Sequence, residues 1–172
     1  MGNLIADAML ARVQDQGIDI AIQNGGGIRA SINAGDVTMG EVLAVLPFQN
    51  TLSTFQVSGA TILEALENGV SQMEEGGGRF PQVAGMTFAV DPAAEPGSRI
   101  SDVMIAGEPL DPEKTYGAVS NNFVRNGGDG YAMFKTAENA YDYGPDLADV
   151  TAEYIAANAP YKPYTDGRIT IK

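Results

Sequence analysis

The sequence predicts a single layered α/β domain of the α+β type, in which helices flank a mixed β-sheet. Apolar residues recur with a period of about 3.6 in some segments and alternate in others, so helices and strands are interspersed along the chain. The 172 residues have the length of one domain, which we assign to 1–172. A composition of 44% hydrophobic and 19% charged residues is typical of a globular chain.

Four segments have the periodicity of helices. The first begins at Asn3, a residue type that caps helices, and Gly17 is suited to end it. Thr38 and Glu41 have the spacing of a capping box at the start of the second helix, and Ser58 is the expected cap of the third. The predicted helices cover residues 3–16, residues 42–46, the stretch from Ser58 to Met73, and a last segment from Pro145 to Ile155.

Runs of β-branched and aromatic residues predict the strands. The run Ile18–Ile22 is mostly apolar, as expected of a buried strand, whereas Thr51–Val57 alternates. Residues 86–90 and 100–105 predict two strands joined by a turn that contains proline and glycine. The remaining predicted strands are residues 116–120 and 168–171.

The net charge of −12 and two missing residue types limit the chemistry of the chain. An acidic chain without a basic face is not expected to bind nucleic acid. The absence of cysteine excludes disulfides and thiolate chemistry, and the absence of histidine excludes a Ser-His-Asp triad and a histidine-ligated metal. No apolar run approaches the ~20 residues of a membrane span, and no signal-peptide pattern opens the sequence.

Three loops carry residues suited to binding a ligand, and the first of them is a glycine run. Gly25–Gly27 have no Cβ atoms, so the backbone can take positive φ and a ligand can approach its N–H groups. Asn24 before the run can donate and accept hydrogen bonds, and Arg29 after it offers a planar guanidinium to phosphate or carboxylate. By itself, the run favours a flexible surface turn followed by a solvated arginine, and only the other loops point to a ligand.

The second and third loops add aromatic and acidic side chains. Phe48 and Phe123 could enclose a flat ring such as a nucleobase, or each could close the end of the core. Asp129 lies between glycines. Its carboxylate could accept hydrogen bonds from the hydroxyls of a sugar diol, or the residue could form an ordinary Asp-Gly turn. Two further arginines near these loops, Arg79 and Arg125, are expected to be solvated.

Together these motifs resemble the C-terminal domain of the 5′-nucleotidase family, which includes bacterial UDP-sugar hydrolases and 2′,3′-cyclic phosphodiesterases. The matching segments are N-G-G-G-I-R at 24–29, L-P-F at 46–48 and N-F-x-x-N-G-G-D-G at 122–130. Supporting matches at 2–8 and 80–85 extend the resemblance over nearly all of the chain. Several motifs in the right order are more specific than any one of them.

The resemblance implies a domain that binds the nucleoside and part of the phosphate of a nucleotide of the AMP or UDP-sugar type. Carried over by motif, the two phenylalanines sandwich the base, Asp129 holds the ribose and Arg29 contacts the phosphate. Asn24 and Asn50 are then expected on the phosphate or base side of the ligand. The residues expected to bind substrate are Asn24, Gly26, Gly27, Arg29, Phe48, Asn50, Phe123 and Asp129.

In the family, two divalent metal ions of the Zn or Mn type and a catalytic His/Asp pair lie on a separate N-terminal metallophosphoesterase domain. The active site forms where the two domains face each other. This sequence contains no such domain, so we expect no cofactor, metal ligand or catalytic residue in it and no catalysis by it alone. Phosphate-binding arginines that precede the segment at 2–8 in the family are also missing, which predicts weakened phosphate affinity. A periplasmic or extracellular location is implied by the resemblance only.

Two alternatives stay open from the residues. The chain could be a stand-alone nucleotide or sugar-nucleotide binding module without a catalytic partner. An upstream reading frame with Asp-x-His and Asn-His-Glu motifs would instead favour the two-domain hydrolase. A sulfur-compound hydrolase of related architecture needs no aromatic clamp, so the pair of Phe48 and Phe123 disfavours that third possibility.

Overall fold

The computed structural model describes all 172 residues and contains two mixed β-sheets flanked by helices. The larger sheet has the strand order β3-β1-β7-β2-β8, and the smaller one has the order β6-β5-β4-β9. The strands are β1 (Ile20–Asn24), β2 (Leu52–Ser58), β3 (Pro81–Ala84), β4 (Met86–Val90), β5 (Ile100–Ile105), β6 (Glu108–Pro109), β7 (Thr115–Asn121), β8 (Glu138–Tyr141) and β9 (Ile169–Ile171). The predicted α/β class is confirmed, but the prediction of one sheet is wrong.

A left-handed glycine lies where the chain passes from the larger sheet to the smaller one. Gly85 separates β3 from β4 and has φ +75°, a conformation that side chains rarely adopt. A Cβ atom at this position would lie 2.1 Å from the carbonyl oxygen of Asp19. The chain therefore leaves the larger sheet at Gly85 and enters the smaller one, where β4 pairs with β5 in antiparallel register.

Four of the five helices begin at a residue whose side chain accepts a hydrogen bond from a backbone N–H group of the first turn, and the first helix has no such cap. Glu41 N–H donates to the Thr38 hydroxyl at 3.3 Å, and the Glu41 carboxylate accepts from Thr38 N–H at 2.8 Å, which confirms the capping box. Ser58 accepts from Thr61 N–H as predicted. The helices are α1 (Gly2–Val13), α2 (Met39–Val45), α3 (Gly59–Val70), α4 (Asn122–Arg125) and α5 (Leu147–Ala157). None of them is long and apolar enough to cross a membrane.

The predicted cap at Asn3 is wrong. The first helix begins one residue earlier, and Asn3 lies inside its first turn. The Asn3 amide instead donates to the carbonyl oxygen of Tyr164 at 3.2 Å, a partner that is distant in sequence. The end of the helix agrees better with the sequence, because Gly17 adopts the left-handed conformation after a short 3-10 turn.

Apolar side chains form a core on each face of the larger sheet. Ile20 and Ile22 of β1 face a core that α3 and the smaller sheet complete. Ala21, between them, faces a second core built with α1, α2 and α5. This alternation explains why the first strand has apolar residues on both of its faces.

The pairing directions bring four loops to one edge of the larger sheet. β1 and β7 run parallel, so both of their carboxyl ends lie at this edge. β2 is antiparallel to β7, with Leu52 opposite Asn121, and β3 is antiparallel to β1, with Pro81 opposite Asn24. The segments that precede β2 and β3 therefore meet the segments that follow β1 and β7.

Arg168 fastens the C-terminal segment to the rest of the domain. Its guanidinium is largely buried and donates to Asp166 at 2.7 Å, to Asp7 of α1 at 2.8 Å and to the carbonyl oxygen of Val83 in β3 at 2.8 Å. The hydroxyl of Tyr164 also donates to Asp7. Hydrogen bonding to Asp166, with a further contribution from Asp7, raises the pKa of Arg168 above its ordinary value.

Replacing Arg168 with leucine is expected to lower the free energy of unfolding by about 3 kcal/mol, because Asp7 is left without its charged partner in a largely buried position. Urea denaturation measures the change. Lys172→Met is the control, since that residue pairs with Asp102 while their side chains are 48% and 72% exposed, and its loss should leave the free energy of unfolding nearly unchanged. Equal losses in the two variants would contradict this account of the C-terminal segment.

Candidate functional site

Backbone hydrogen bonds tie the four loops together at the sheet edge. Gly25 N–H donates to the carbonyl oxygen of Phe80 at 2.8 Å, and Gly26 N–H donates to that of Gly78 at 2.7 Å. On the other side, Asn122 N–H donates to the carbonyl oxygen of Thr51 at 2.9 Å. The segment at 76–80 was not among the three loops predicted to bind a ligand, and it forms a fourth wall of the candidate site.

The glycine run differs from its predicted conformation. Residues Gly25–Gly27 form one 3-10 turn without positive φ, and two of their N–H groups bind the neighbouring loop instead of facing solvent. Glycine is needed here for close packing, because a Cβ at Gly26 would lie 3.0 Å from the Cα of Gly78. A Cβ at Gly27 would lie 2.5 Å from Nε2 of Gln23.

Arg29 borders an open cavity of about 420 Å³ between the two glycine loops. Its side chain is exposed, and Nη1 donates to the carbonyl oxygen of Gly26 at 3.3 Å. Arg29 is the one charged residue of the lining, whose other members are Gly25, Gly26, Met73, Gly76, Gly77, Gly78 and Phe80. The guanidinium therefore keeps most of its donors available for an anion.

Asp129 presents one free carboxylate oxygen at the same edge. The residue has φ +53°, an unusual conformation for a side chain other than glycine, and its neighbours Gly128 and Gly130 relieve local crowding. Its Oδ2 accepts from Nδ2 of Asn24 at 2.7 Å, and its carbonyl oxygen accepts from Nδ2 of Asn68 at 3.1 Å. The second oxygen, Oδ1, has no hydrogen-bond partner in the protein, so it can accept a hydrogen bond from a ligand.

Asn24 lies behind Asp129 and is almost fully buried. Its Oδ1 accepts from Nδ2 of Asn121 at 2.9 Å and from Nε2 of Gln23 at 3.2 Å, while its Nδ2 donates to Asp129. Both polar atoms of the Asn24 side chain are therefore engaged within the protein. Neither Gln23 nor Asn121 was among the predicted site residues, although an asparagine directly before a short helix is a recognisable capping signal.

The two candidate ring-binding phenylalanines are exposed at this edge. Phe48 is 56% exposed and borders a narrow crevice beside Asn50 and the start of α5. Phe123 is 46% exposed and stands on α4, with its ring against Gly128. The two rings do not stack on each other, so the faces of both rings are available to a ligand.

The prediction that Arg125 is solvated is wrong, and Arg79, also predicted to be solvated, is only partly exposed. Arg125 is only 8% exposed, and its guanidinium lies 5.7 Å from the ring centroid of Phe55. Its Nε is 3.6 Å from Asp142, a partner that only the tertiary fold brings close. Arg79 is partly buried and donates to the side chain of Asn68 at 3.3 Å.

The side chains present do not fit a metal centre. No three His, Cys, Asp or Glu residues are grouped so that they could hold a metal ion. The carboxylate of Asp129 stands among amides and glycines rather than among other acidic groups. The groups that the described residues place at this edge are amides, one carboxylate, two phenyl rings and the guanidinium of Arg29.

Comparison with known proteins decides the family. The family model described as "5'-nucleotidase, C-terminal domain" matches residues 1–136, most of the chain. The chain belongs to this family. The resemblance inferred from the loop motifs is thereby confirmed.

Relatives of this 5′-nucleotidase C-terminal domain are much longer proteins. The chain is 44% identical to the trifunctional nucleotide phosphoesterase protein YfkN of Bacillus subtilis, over 98% of this chain and 12% of YfkN. It is 35% identical to the 5'-nucleotidase of Homo sapiens, over 98% of this chain and 33% of that protein. The crystal structure of a 5'-nucleotidase precursor from Thermus thermophilus superposes with a TM-score of 0.95 at 46% identity, covering 99% of this chain and 34% of that one. The chain thus spans about a third or less of these proteins.

Gly128→Ala is expected to displace the ring of Phe123, because a Cβ at this position would lie 2.5 Å from two ring atoms. Ring-proton chemical shifts and NOEs of Phe123 measure the displacement. Gly40→Ala is the matched control, since a Cβ there meets only the Thr38 hydroxyl at 3.8 Å and should leave Phe123 unchanged. An unmoved ring in Gly128→Ala would contradict the described packing.

Proposed function

We propose that residues 1–172 are the C-terminal, substrate-binding domain of a two-domain dimetal nucleotide phosphohydrolase of the 5′-nucleotidase type. The observation that carries the proposal is that the strand pairing places a held carboxylate and two exposed phenyl rings on loops at one sheet edge. A carboxylate that accepts from hydroxyls and a pair of aromatic faces are the groups that recognise ribose and a base. The printed names of the relatives, nucleotide phosphoesterase and 5'-nucleotidase, point to the same ligand class.

In this proposal each loop contributes one part of the recognition. Phe48 and Phe123 enclose the base, and Oδ1 of Asp129 accepts from a ribose hydroxyl. Arg29 meets the phosphate at the mouth of the glycine-lined cavity, where an isolated guanidinium favours an anion despite the net charge of −12. Gly26 and Gly27 shape the loop that borders the ligand, because their lack of a Cβ lets this loop pack closely against Gly78 and Gln23. Asn50 lies beside the base, and Asn24 acts through Asp129 rather than by its own free amide.

The domain's own contribution to hydrolysis is to bind and orient the nucleotide. We propose that the whole protein converts nucleoside phosphates to nucleoside and phosphate, with AMP or UDP-sugar type substrates. Its two divalent ions, of the Zn or Mn type, would be held by an N-terminal metallophosphoesterase domain in the same polypeptide, since no group of ligands for them exists here. A periplasmic or extracellular location is part of the same proposal.

Phe123→Ala is expected to weaken adenosine binding about tenfold or more, because one face of the proposed ring clamp is lost and base–aromatic stacking contributes about 1–3 kcal/mol. Isothermal titration calorimetry measures the dissociation constant. Ile171→Ala removes an apolar side chain of similar exposure, 51%, from β9 of the smaller sheet and should leave binding unchanged. An unchanged dissociation constant in Phe123→Ala would argue against the clamp.

The purified domain should release no phosphate above background from AMP in the presence of Mn²⁺ or Zn²⁺. The reason is that its side chains offer neither a metal-binding group nor a histidine to act as acid or base. A colorimetric phosphate assay measures release, and adenosine binding by the same sample shows that the protein is folded. Sustained phosphate release would contradict the proposal that this domain binds the nucleotide while a separate metal-binding domain hydrolyses it.

A further inference from the structure

We propose that Asn121 is a positioning residue that fixes two groups at once, the carboxylate of Asp129 and the ring of Phe123. Through the first of these it would set the preference of the domain for a sugar that carries ribose hydroxyls. This inference rests on the proposed nucleoside-binding function and deepens it. Asn121 itself does not reach the ligand, because it is fully buried as the last residue of β7.

The amide nitrogen of Asn121 is the donor at the centre of a buried network. Its Nδ2 donates to Oε1 of Gln23 at 2.8 Å and to Oδ1 of Asn24 at 2.9 Å. Gln23 in turn donates from Nε2 to the same Oδ1 of Asn24 at 3.2 Å. All three side chains are almost completely buried, so none of these groups can exchange its partner for water without cost.

This network determines which atom Asn24 turns toward Asp129. Two N–H donors point at one end of the Asn24 amide, so its oxygen belongs there and its Nδ2 faces Oδ2 of Asp129 at 2.7 Å. If the Asn24 amide were reversed, its NH₂ group would face the N–H donors of Gln23 and Asn121, and its oxygen would face the carboxylate of Asp129. Asn121 therefore keeps the donor in place that holds Oδ2 of Asp129 and leaves Oδ1 for the ligand.

The amide oxygen of Asn121 has a separate task. It accepts from the backbone N–H of Val124 at 2.9 Å and so caps α4, the single helical turn that carries Phe123. One helical turn has few hydrogen bonds of its own, because forming the first turn is the unfavourable part of helix formation. The position of the Phe123 ring therefore depends on this cap.

Two substitutions separate the two tasks. Asn121→Ser keeps an N-cap oxygen, since serine caps helices about as well as asparagine, but its hydroxyl is too short to replace both donations to Gln23 and Asn24. Asn121→Ala loses the cap as well as the donations. A role confined to stability would affect every nucleoside equally, whereas a positioning role predicts effects that depend on the sugar.

Calorimetry with adenosine and 2′,3′-dideoxyadenosine tests the proposal. The wild-type domain should prefer adenosine about tenfold, the size expected of one hydrogen bond to a charged group. In Asn121→Ser this preference should fall to about twofold or less, while the affinity for dideoxyadenosine changes by less than about twofold. In Asn121→Ala the affinity for dideoxyadenosine should also fall, by about fivefold or more, because the ring is no longer held. Asn158→Ser at the end of α5 is the matched control and should keep wild-type values for both nucleosides.

Each outcome identifies what has failed. The positioning role alone would be overturned if Asn121→Ser keeps the wild-type preference for adenosine. It would also be overturned if this variant loses affinity for both nucleosides equally. A wild-type domain that binds neither nucleoside, or both equally, would overturn the proposed ribose contact and this inference with it. If Asn121→Ser does not fold, the buried network on which the proposal depends is tested in the wild-type protein by NMR. Side-chain amide protons of Asn24 should exchange at least about a hundredfold more slowly than those of exposed Asn158, and equal rates would refute the network.

Discussion

The parallel pairing of β1 with β7 is the constraint on which the rest of the candidate site depends. Two parallel neighbours end at the same sheet edge, so the polar side chains that follow each strand are brought together without any local sequence signal. Antiparallel β2 and β3 begin at that edge and add the segments before them. Four chain segments that are distant in sequence thereby surround one place. Ligands commonly bind outside the carboxyl ends of such strands, where the loops are free to vary.

At this edge the ends of β1 and β7 carry buried amide side chains in place of the apolar side chains that fill the rest of the core. Gln23, Asn24 and Asn121 are nearly inaccessible to water, and their amide groups are satisfied by one another, by the carboxylate of Asp129 and by the backbone N–H of Val124. A polar network of this kind is stable only when all of its members are paired, because an unpaired buried amide loses its hydration without compensation. The network ends on Asp129, whose φ of +53° stores strain of the order of 1 kcal/mol. The buried amides and the strained backbone of Asp129 therefore lie together at the proposed binding edge, and such features concentrate at binding sites.

Local chemistry made much of the fold predictable, and long-range packing accounts for what was missed. Thr38 and Ser58 act as helix caps because a hydroxyl and a nearby N–H suffice, and both are close in sequence. The strand β8 was missed because all of its residues are exposed and it has no apolar alternation to recognise. The burial of Arg125 depends on Asp142 and an aromatic ring that only the fold brings close, so its sequence neighbours gave no indication of it. At the candidate site, the motifs and their order predicted which loops take part, whereas the hydrogen bond from Asn24 to Asp129 joins residues 105 positions apart and is visible only in the tertiary structure.

A crystal structure of the domain soaked with adenosine tests the central claim most directly. The account predicts a purine ring between the phenyl rings of Phe48 and Phe123, about 3.5–4 Å from each, which is the separation of atoms in van der Waals contact. It also predicts a ribose hydroxyl within hydrogen-bond distance of Oδ1 of Asp129, with Oδ2 still held by Asn24. Adenosine bound elsewhere on the surface, or a site that stays empty at saturating concentration, would contradict the claim that this sheet edge recognises nucleosides.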